Sequence, residues 1–395
     1  MQAIRNNVAR TFVAASLLTS VVLNANADVI TDWNVKAGEI ITESKMGTPP
    51  AIRVMAIVQT AVDNAVTAAS RASVDAAVAS ANRVTLTKLI PAQQAAIDAA
   101  YQAALSQIAD GPAKLAGIVA GEKAASAVLA KRLDDGAGTA EAYRPHTTAG
   151  VYVPTPTPAV PQWAQRKTWL MSTASQFRPA PPPALNSSTW TRDYNEIKQL
   201  GSKNNSTRSA EQSDIARFWE YSLPAIYYAA VRSVANMPGR DVAQNARLFA
   251  AVSQAMDDGM ISVFDAKYQY NFWRPTTAIR NGDIDGNDET QRDASWASLV
   301  DSPMHPEYPS AHSILAGAVG TVLKAEIGNA QMPVLSTASP TAKGAVRRWA
   351  NPDDFMREVA LSRVYAGIHY RTSIDVGLAM GKQIGDLTVQ KFLTH

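Results

Sequence analysis

No cysteine occurs anywhere in the 395 residues. This excludes disulfides, zinc–thiolate centres, iron–sulfur clusters and a thiol nucleophile. Stability must come from packing alone, which a chain of this length can supply. Histidine is scarce too, with five residues at His146, His305, His312, His369 and His395, so imidazole chemistry has few candidates. Charge is thin at 18% of residues, and 37 Lys and Arg against 34 Asp and Glu leave +3. With Arg5 and Arg10 removed in a leader, the remainder is 3 − 2 = +1. No nucleic-acid partner is expected, because such binding needs a strongly basic face. No apolar run reaches the ~20 residues that span a bilayer, so no membrane span is expected.

The longest such run is at the N-terminus. Arg5 and Arg10 precede the short apolar stretch Thr11 to Leu23, and Ala25-Asn26-Ala27 forms a small-x-small site. The pattern is that of a secretory leader, with Asp28 as the expected mature start and a periplasmic or secreted destination.

Alternating β-branched clusters are scarce, and the expected fold class is all-α. From Pro50 to Asp135 the chain is Ala-rich with helical spacing, as in Ile52, Met55, Ala56, Gln59 and Val62. Further helices are expected over 91–109 and 112–133, each opened by a proline. Residues 145–206 read as a Pro- and aromatic-rich irregular segment, and the prolines between Pro145 and Pro183 forbid regular helix. Trp163, Trp169 and Phe177 would not suit a free linker, so this segment should lie pinned across the helices. Helices resume at Thr207, where Ser209 and Gln212 offer a cap. Helices are expected from Asp241 to Phe264 or beyond, after Pro309, over 340–349 and from Asp353 toward Tyr365. The domain reading is therefore 28–144 helical, 145–206 irregular and 207–395 helical and catalytic.

Three short segments carry the chemistry. Lys267 and Arg274 are seven residues apart, close to two helical turns, so both cations would share one face before Pro275 ends the helix. Stacked cations with no acid between them suit a bound anion; a solvated basic face is the alternative. Tyr308-Pro309-Ser310-Ala311-His312 reads as a loop ending in an N-cap serine, which leaves free amides beside an imidazole. Arg363 and His369 are six apart, which a straight helix would separate, and Gly367 between them is a natural break.

Lys-x6-Arg-Pro, Pro-Ser-x-His and Ser-Arg-x5-His, in that order, resemble the signature of the vanadium-dependent haloperoxidase and type 2 phosphatidic acid phosphatase superfamily. Phe272-Trp273-Arg274-Pro275, His305-Pro306-Glu307-Tyr308 and Gly367-Ile368-His369-Tyr370 are similar to its soluble, chloroperoxidase-like branch. The resemblance implies packed helical bundles of the haloperoxidase or acid phosphatase type. It also implies an oxyanion pocket for vanadate or phosphate. In it Lys267, Arg274 and Arg363 neutralise oxygens, and Ser310 and the amide of Ala311 donate. His369 bonds the vanadium or phosphorus, and His312 serves as acid and base.

The activity implied first is vanadate-dependent oxidation of halide by hydrogen peroxide to hypohalous acid, which then acts on a small organic substrate. The second is a soluble acid phosphatase that forms a phosphohistidine from a phosphomonoester. The third is an inactive oxyanion-binding helical protein. Two positions depart from the family pattern. Ala311 replaces a glycine, and Ser373 stands where an aspartate commonly orients the last histidine. Asp375 is the nearest acid to take over that task. His305 and Trp273 are further neighbours of the pocket on this reading.

Overall fold

The computed structural model describes residues 28–69 and 72–393. The leader with its cleavage site, and His395, lie outside the described residues.

Among the described residues the chain forms thirteen α-helices and one small β-hairpin. An N-terminal group comprises α1 (Val29–Glu43), α2 (Thr48–Ala68), α3 (Val74–Leu89), α4 (Gln94–Ser106) and α5 (Pro112–Arg132). Next come α6 (Ser188–Leu200), α7 (Ala210–Phe218), α8 (Ala225–Ala235), α9 (Val242–Tyr270) and the short α10 (Pro275–Arg280). The chain then forms α11 (Ala311–Ile327), strands β1 (Leu335–Ser339) and β2 (Ala345–Trp349), α12 (Pro352–Tyr365) and α13 (Arg371–Phe392).

The centre is α9. Asp241 caps it through the amide of Gln244, whose side chain returns to the amide of Asp241. Every residue from Leu248 to Phe264 is buried. A helix apolar on all sides must be covered on all sides. Here α2 covers it from the N-terminal group, and α11 and α13 cover it from the C-terminal group. α11 and α13 meet backbone to backbone. A Cβ on Gly381 would lie 2.2 Å from the carbonyl oxygen of Ile314, and one on Gly377 2.7 Å from that of Ser310. This close approach holds Ser310 against α13, where its amide donates to Ser373 O at 3.1 Å.

Three expectations are corrected. The segment 145–206 contains α6, capped by Ser187 onto the amide of Trp190. Trp190, Tyr194 and Ile197 follow at i, i+4 and i+7 and are fully buried, each worth about 1.5–3 kcal/mol in removed apolar surface. The span 340–349 is not helical. After a single 3₁₀ turn at Pro340, Lys343 and Gly344 take positive φ (54° and 78°) and turn the chain into β2, which pairs antiparallel with β1. Lys267 and Arg274 do not share a helix. α9 ends at Tyr270 because Asn271 is left-handed (φ 48°), and Pro275 opens α10 rather than ending α9.

Residues 145–185 lie pinned as a strap. Arg166 reaches Asp257 with both terminal nitrogens (2.6 and 2.9 Å) and Asp135 at 2.7 Å, all with buried side chains. Asp258 accepts the amides of Trp169, Leu170 and Met171 at 2.7–3.0 Å. Its burial still pushes its carboxyl up to about 6. Further along, Arg178 pairs with Asp265 at 2.6 Å. Tyr308 donates to Ala180 O at 2.9 Å. The strap thereby reaches the loop that leads to Ser310.

Candidate functional site

The site forms where the C-terminal end of α9, the loop 305–310, the start of α11 and the end of α12 meet. Lys267, one turn from the end of α9, is completely buried. Its ammonium donates to the carbonyls of Pro306 and Glu307 at 2.9 and 2.8 Å, which leaves one proton to spend. Burial, then the charge of Arg274, drives its pKa well below the ordinary lysine value.

Arg274 is the N-cap residue of α10. Nε donates to His305 O at 2.9 Å, and Nη1 donates to Ile368 O at 2.9 Å. Nη1 also lies 3.4 Å from Nε2 of His369, and Nη2 lies 3.0 Å from Nδ1 of His305. Arg363, in the last turn of α12, donates to the carbonyl of Trp219 at 2.6 Å, and its Nε has no partner. Burial lowers both guanidinium pKa values, yet arginine keeps its charge in proteins.

Ser310 caps α11. Its oxygen accepts from the amide of Ser313 at 3.4 Å and from the Ser313 hydroxyl at 3.0 Å, so its own proton is free to donate. The first amides of α11, from Ala311 onward, have no intrahelical acceptor. His312 follows one residue later. It bonds to the carbonyl of Trp219, while Nε2 is buried without a partner. The bonded nitrogen is therefore Nδ1, and Nε2 presents its lone pair.

His369 lies just past α12. Gly367 makes the turn with φ 78°, and a Cβ there would lie 2.3 Å from Gly201 O. Burial, then the charges of Arg274, Lys267 and Arg363, holds the His369 imidazole well below its ordinary pKa. His312 is depressed by burial and then by Arg363, and His305 by burial and then by Lys267 and Arg274. These mutual effects place the three cations and the histidines within one electrostatic neighbourhood. All three imidazoles are neutral at neutral pH.

The structure thus brings together Lys267, Arg274, Ser310, Ala311, His312, Arg363 and His369. His305 joins them as the partner of Arg274, edge-on to Phe264 at 5.2 Å. Trp273 does not line the pocket. It is buried in an aromatic cluster and stacks on Trp190 at 5.9 Å. Asp375 does not reach His369 either. It is exposed on α13, and its charged neighbours are Arg371, Asp193, Arg192 and Glu196.

The carboxylate beside His369 is Glu307, with Oε1 2.7 Å from Nδ1 and 3.1 Å from the amide of Tyr370. Sequence reasoning missed this residue and the Trp219 carbonyl. An acid set among Pro306, Tyr308 and Pro309 was the available signal for the first; a carbonyl leaves no signal in sequence.

A cavity of about 420 Å³ reaches Arg274 from outside. Tyr152 and Val153 of the strap line it with Met304, Thr276 and Ser302.

Residues 247–395 match the family profile described as the VCPO second helical-bundle domain. The chain is 25% identical to the vanadium chloroperoxidase of Curvularia inaequalis over 52% of this chain. That alignment spans less than half of the relative, 44% of its length. A crystal structure of the first bacterial vanadium-dependent iodoperoxidase superposes with a TM-score of 0.79 at 23% identity, covering 93% of this chain and 96% of that one. A holo bacterial vanadium-dependent chloroperoxidase superposes with a TM-score of 0.68 at 18% identity, covering 89% and 94%.

Residues 247–395 thus resemble the second helical-bundle domain of the vanadium chloroperoxidases, and the all-α fold is shared with the solved vanadium-dependent haloperoxidases. For an oxyanion site of the kind this resemblance implies, the donor set is chemically apt. Three buried cations, a hydroxyl with a free proton and unpaired helix amides suit a tetrahedral oxyanion. Arg363 Nε is a buried donor without a partner, and an oxygen of a bound oxyanion would accept from it; His312 Nε2, a buried acceptor without a partner, would accept from a hydroxyl group on the same oxyanion. The residues present fit vanadate, and they fit phosphate equally.

Proposed function

We propose that this chain is a vanadate-dependent haloperoxidase that oxidises halide with hydrogen peroxide to hypohalous acid. The observation that carries the reading is the convergence of Lys267, Arg274 and Arg363, all buried, on two neutral histidines. The one carboxylate among them, Glu307, is turned to His369.

On this reading Lys267, Arg274 and Arg363 hold the oxygens of vanadate, and Ser310 and the amide of Ala311 donate to it. His369 is the ligand through Nε2, the nitrogen turned from Glu307. Bound vanadate supplies a Lewis-acid centre that activates hydrogen peroxide toward a halide. His312 takes a proton from peroxide at Nε2 and returns it later; its neutrality makes the first step possible. Arg363 beside it disfavours the imidazolium and so keeps the proton mobile. The fixed cations need no reorganisation as negative charge shifts among the oxygens. Peroxide and halide enter by the cavity along Tyr152 and Met304, and hypohalous acid leaves by it toward a small organic substrate.

The test is a paired assay on the purified protein. With vanadate, peroxide and each of chloride, bromide and iodide, it should halogenate monochlorodimedone or form triiodide, and His369→Ala should abolish this. Hydrolysis of p-nitrophenyl phosphate without vanadate, with vanadate acting only as an inhibitor, would make the protein an acid phosphatase instead. Oxyanion binding with neither activity would make it a non-catalytic binder.

A further inference from the structure

The position where the superfamily pattern places an aspartate is Ser373, in the first turn of α13. Its hydroxyl lies 3.5 Å from Nδ1 of His369. The place is therefore the expected one, and the acid is missing from it. Glu307 Oε1 approaches the same nitrogen at 2.7 Å from the opposite side of the sequence, 62 residues upstream.

The tautomer of His369 follows from its other nitrogen. Arg274 can only donate, and its Nη1 lies 3.4 Å from Nε2. Nε2 is then the bare nitrogen, and Nδ1 carries the proton that Glu307 accepts. Glu307 is held for this task by its own backbone. Its carbonyl takes a proton of Lys267 at 2.8 Å, and its amide donates to Phe272 O at 2.8 Å. The neighbouring carbonyls of His305 and Pro306 are taken by Arg274 and Lys267. The cations of the pocket thus fix the segment that carries the acid. Its side chain is 0% exposed.

We infer that Glu307 is the positioning residue of His369, and that it replaces the carboxylate absent at Ser373. The inference rests on the oxyanion-site reading above. Glu307 fixes the Nδ1–H tautomer, orients the ring and keeps the Nε2 lone pair facing the oxyanion. The acid has been transposed from α13 to the loop before α11, with a small serine left where a second carboxylate would crowd it. Glu307 touches no substrate atom and acts only through His369.

The two positions should be interchangeable, and that gives the test. Vanadate affinity is measured by isothermal titration calorimetry for the wild type, Glu307→Gln, Glu307→Ala and the double variant Glu307→Ala/Ser373→Asp. Removal of the carboxylate should weaken binding about 10–100-fold, the range for an outer partner of a ligating histidine. The double variant should recover at least a tenth of wild-type affinity. Glu307→Gln, nearly isosteric, covers the case in which the alanine variant does not fold. Affinity within twofold of wild type in Glu307→Gln, or no recovery in a folded double variant, overturns the inference.

A second readout needs no ligand. The imidazole ¹⁵N shifts of the free protein should show His369 as the Nδ1–H tautomer, and Nε2–H would overturn the assignment. Failure of halide oxidation with both readouts intact would sink the functional reading and leave this one standing.

Discussion

Arg166 and Asp257 form a two-pronged ion pair at 2.6 and 2.9 Å, with both side chains sealed from solvent. One residue belongs to the strap and the other to the middle of α9. Arg166 is the counter-ion that lets Asp257 be buried, and it is itself shared between Asp257 and Asp135. Arg166→Met leaves Asp257 as an uncompensated buried charge, while Asp135 keeps Arg53 at 2.9 Å. The expected cost is about 3–5 kcal/mol, read from urea denaturation. Trp169 fluorescence should change early in that transition, because its indole also donates to Asp257.

Oxyanion binding should show in stability before any turnover is measured. A ligand that binds only the folded chain adds about 2.7 kcal/mol at one hundred times its Kd. Vanadate or phosphate should raise the melting temperature accordingly. Lys267→Met should abolish the rise, because the variant lacks the buried amine that donates within the pocket. A rise retained in that variant would place the bound anion elsewhere.

Gly367→Ala should fold poorly or displace His369. The residue has φ 78°, and a Cβ would lie 2.3 Å from Gly201 O and 3.0 Å from the Ser298 side chain. The Gly201 backbone cannot yield as a flexible side chain could, so a loss of about 2–4 kcal/mol is expected, together with loss of vanadate affinity. Differential scanning calorimetry and titration of the same sample would check both.

Ala311→Gly should tighten oxyanion binding by removing the methyl group nearest the first amide of α11. Stability should fall by no more than about 1 kcal/mol, the helix-propensity difference. Weaker binding in this variant would show that the methyl group supports the pocket instead.

The pH dependence of the free protein has two opposing parts. His305, His312 and His369 have folded pKa values well below the unfolded value near 6.5. Below about 6.5 the unfolded chain binds protons that the folded chain refuses, so these groups remove stability as pH falls. Glu307, raised by burial to about 7, and Asp258, raised to about 6, act in the other direction. Their contributions are present below the ordinary carboxyl values and lost as pH rises through 6 and 7. Three bases outweigh two acids, so the melting temperature should fall between pH 6.5 and pH 5. Glu307→Gln should steepen that fall, because it removes one opposing group.

The all-α class and the helices over 48–68 and 112–132 were legible because alanine-rich 3.6-residue periodicity needs no tertiary context. The pocket cations and histidines were legible because their order along the chain is distinctive. The path between them was not. Lys267 and Arg274 looked like one helical face because spacing cannot reveal that Asn271 turns left-handed. Glu307 was hidden because an acid paired with a histidine 62 residues away obeys no local period. Asp375 was the nearer acid in sequence, yet the helix turns it outward. Asp257-Asp258 sit inside an otherwise apolar run, and only the fold shows that the strap is their partner.

The strap anchor and the pocket share one piece of rigid architecture. Asp257 and Lys267 sit on the same unbroken helix, ten residues apart, or about 15 Å along its axis. α9 therefore works as a ruler. It sets how far the cavity wall formed by the strap stands from Lys267. Inserting or deleting a single residue between the two would rotate Lys267 by about 100° relative to the strap. The register of ten residues inside this helix is as much a part of the candidate site as the side chains that line it.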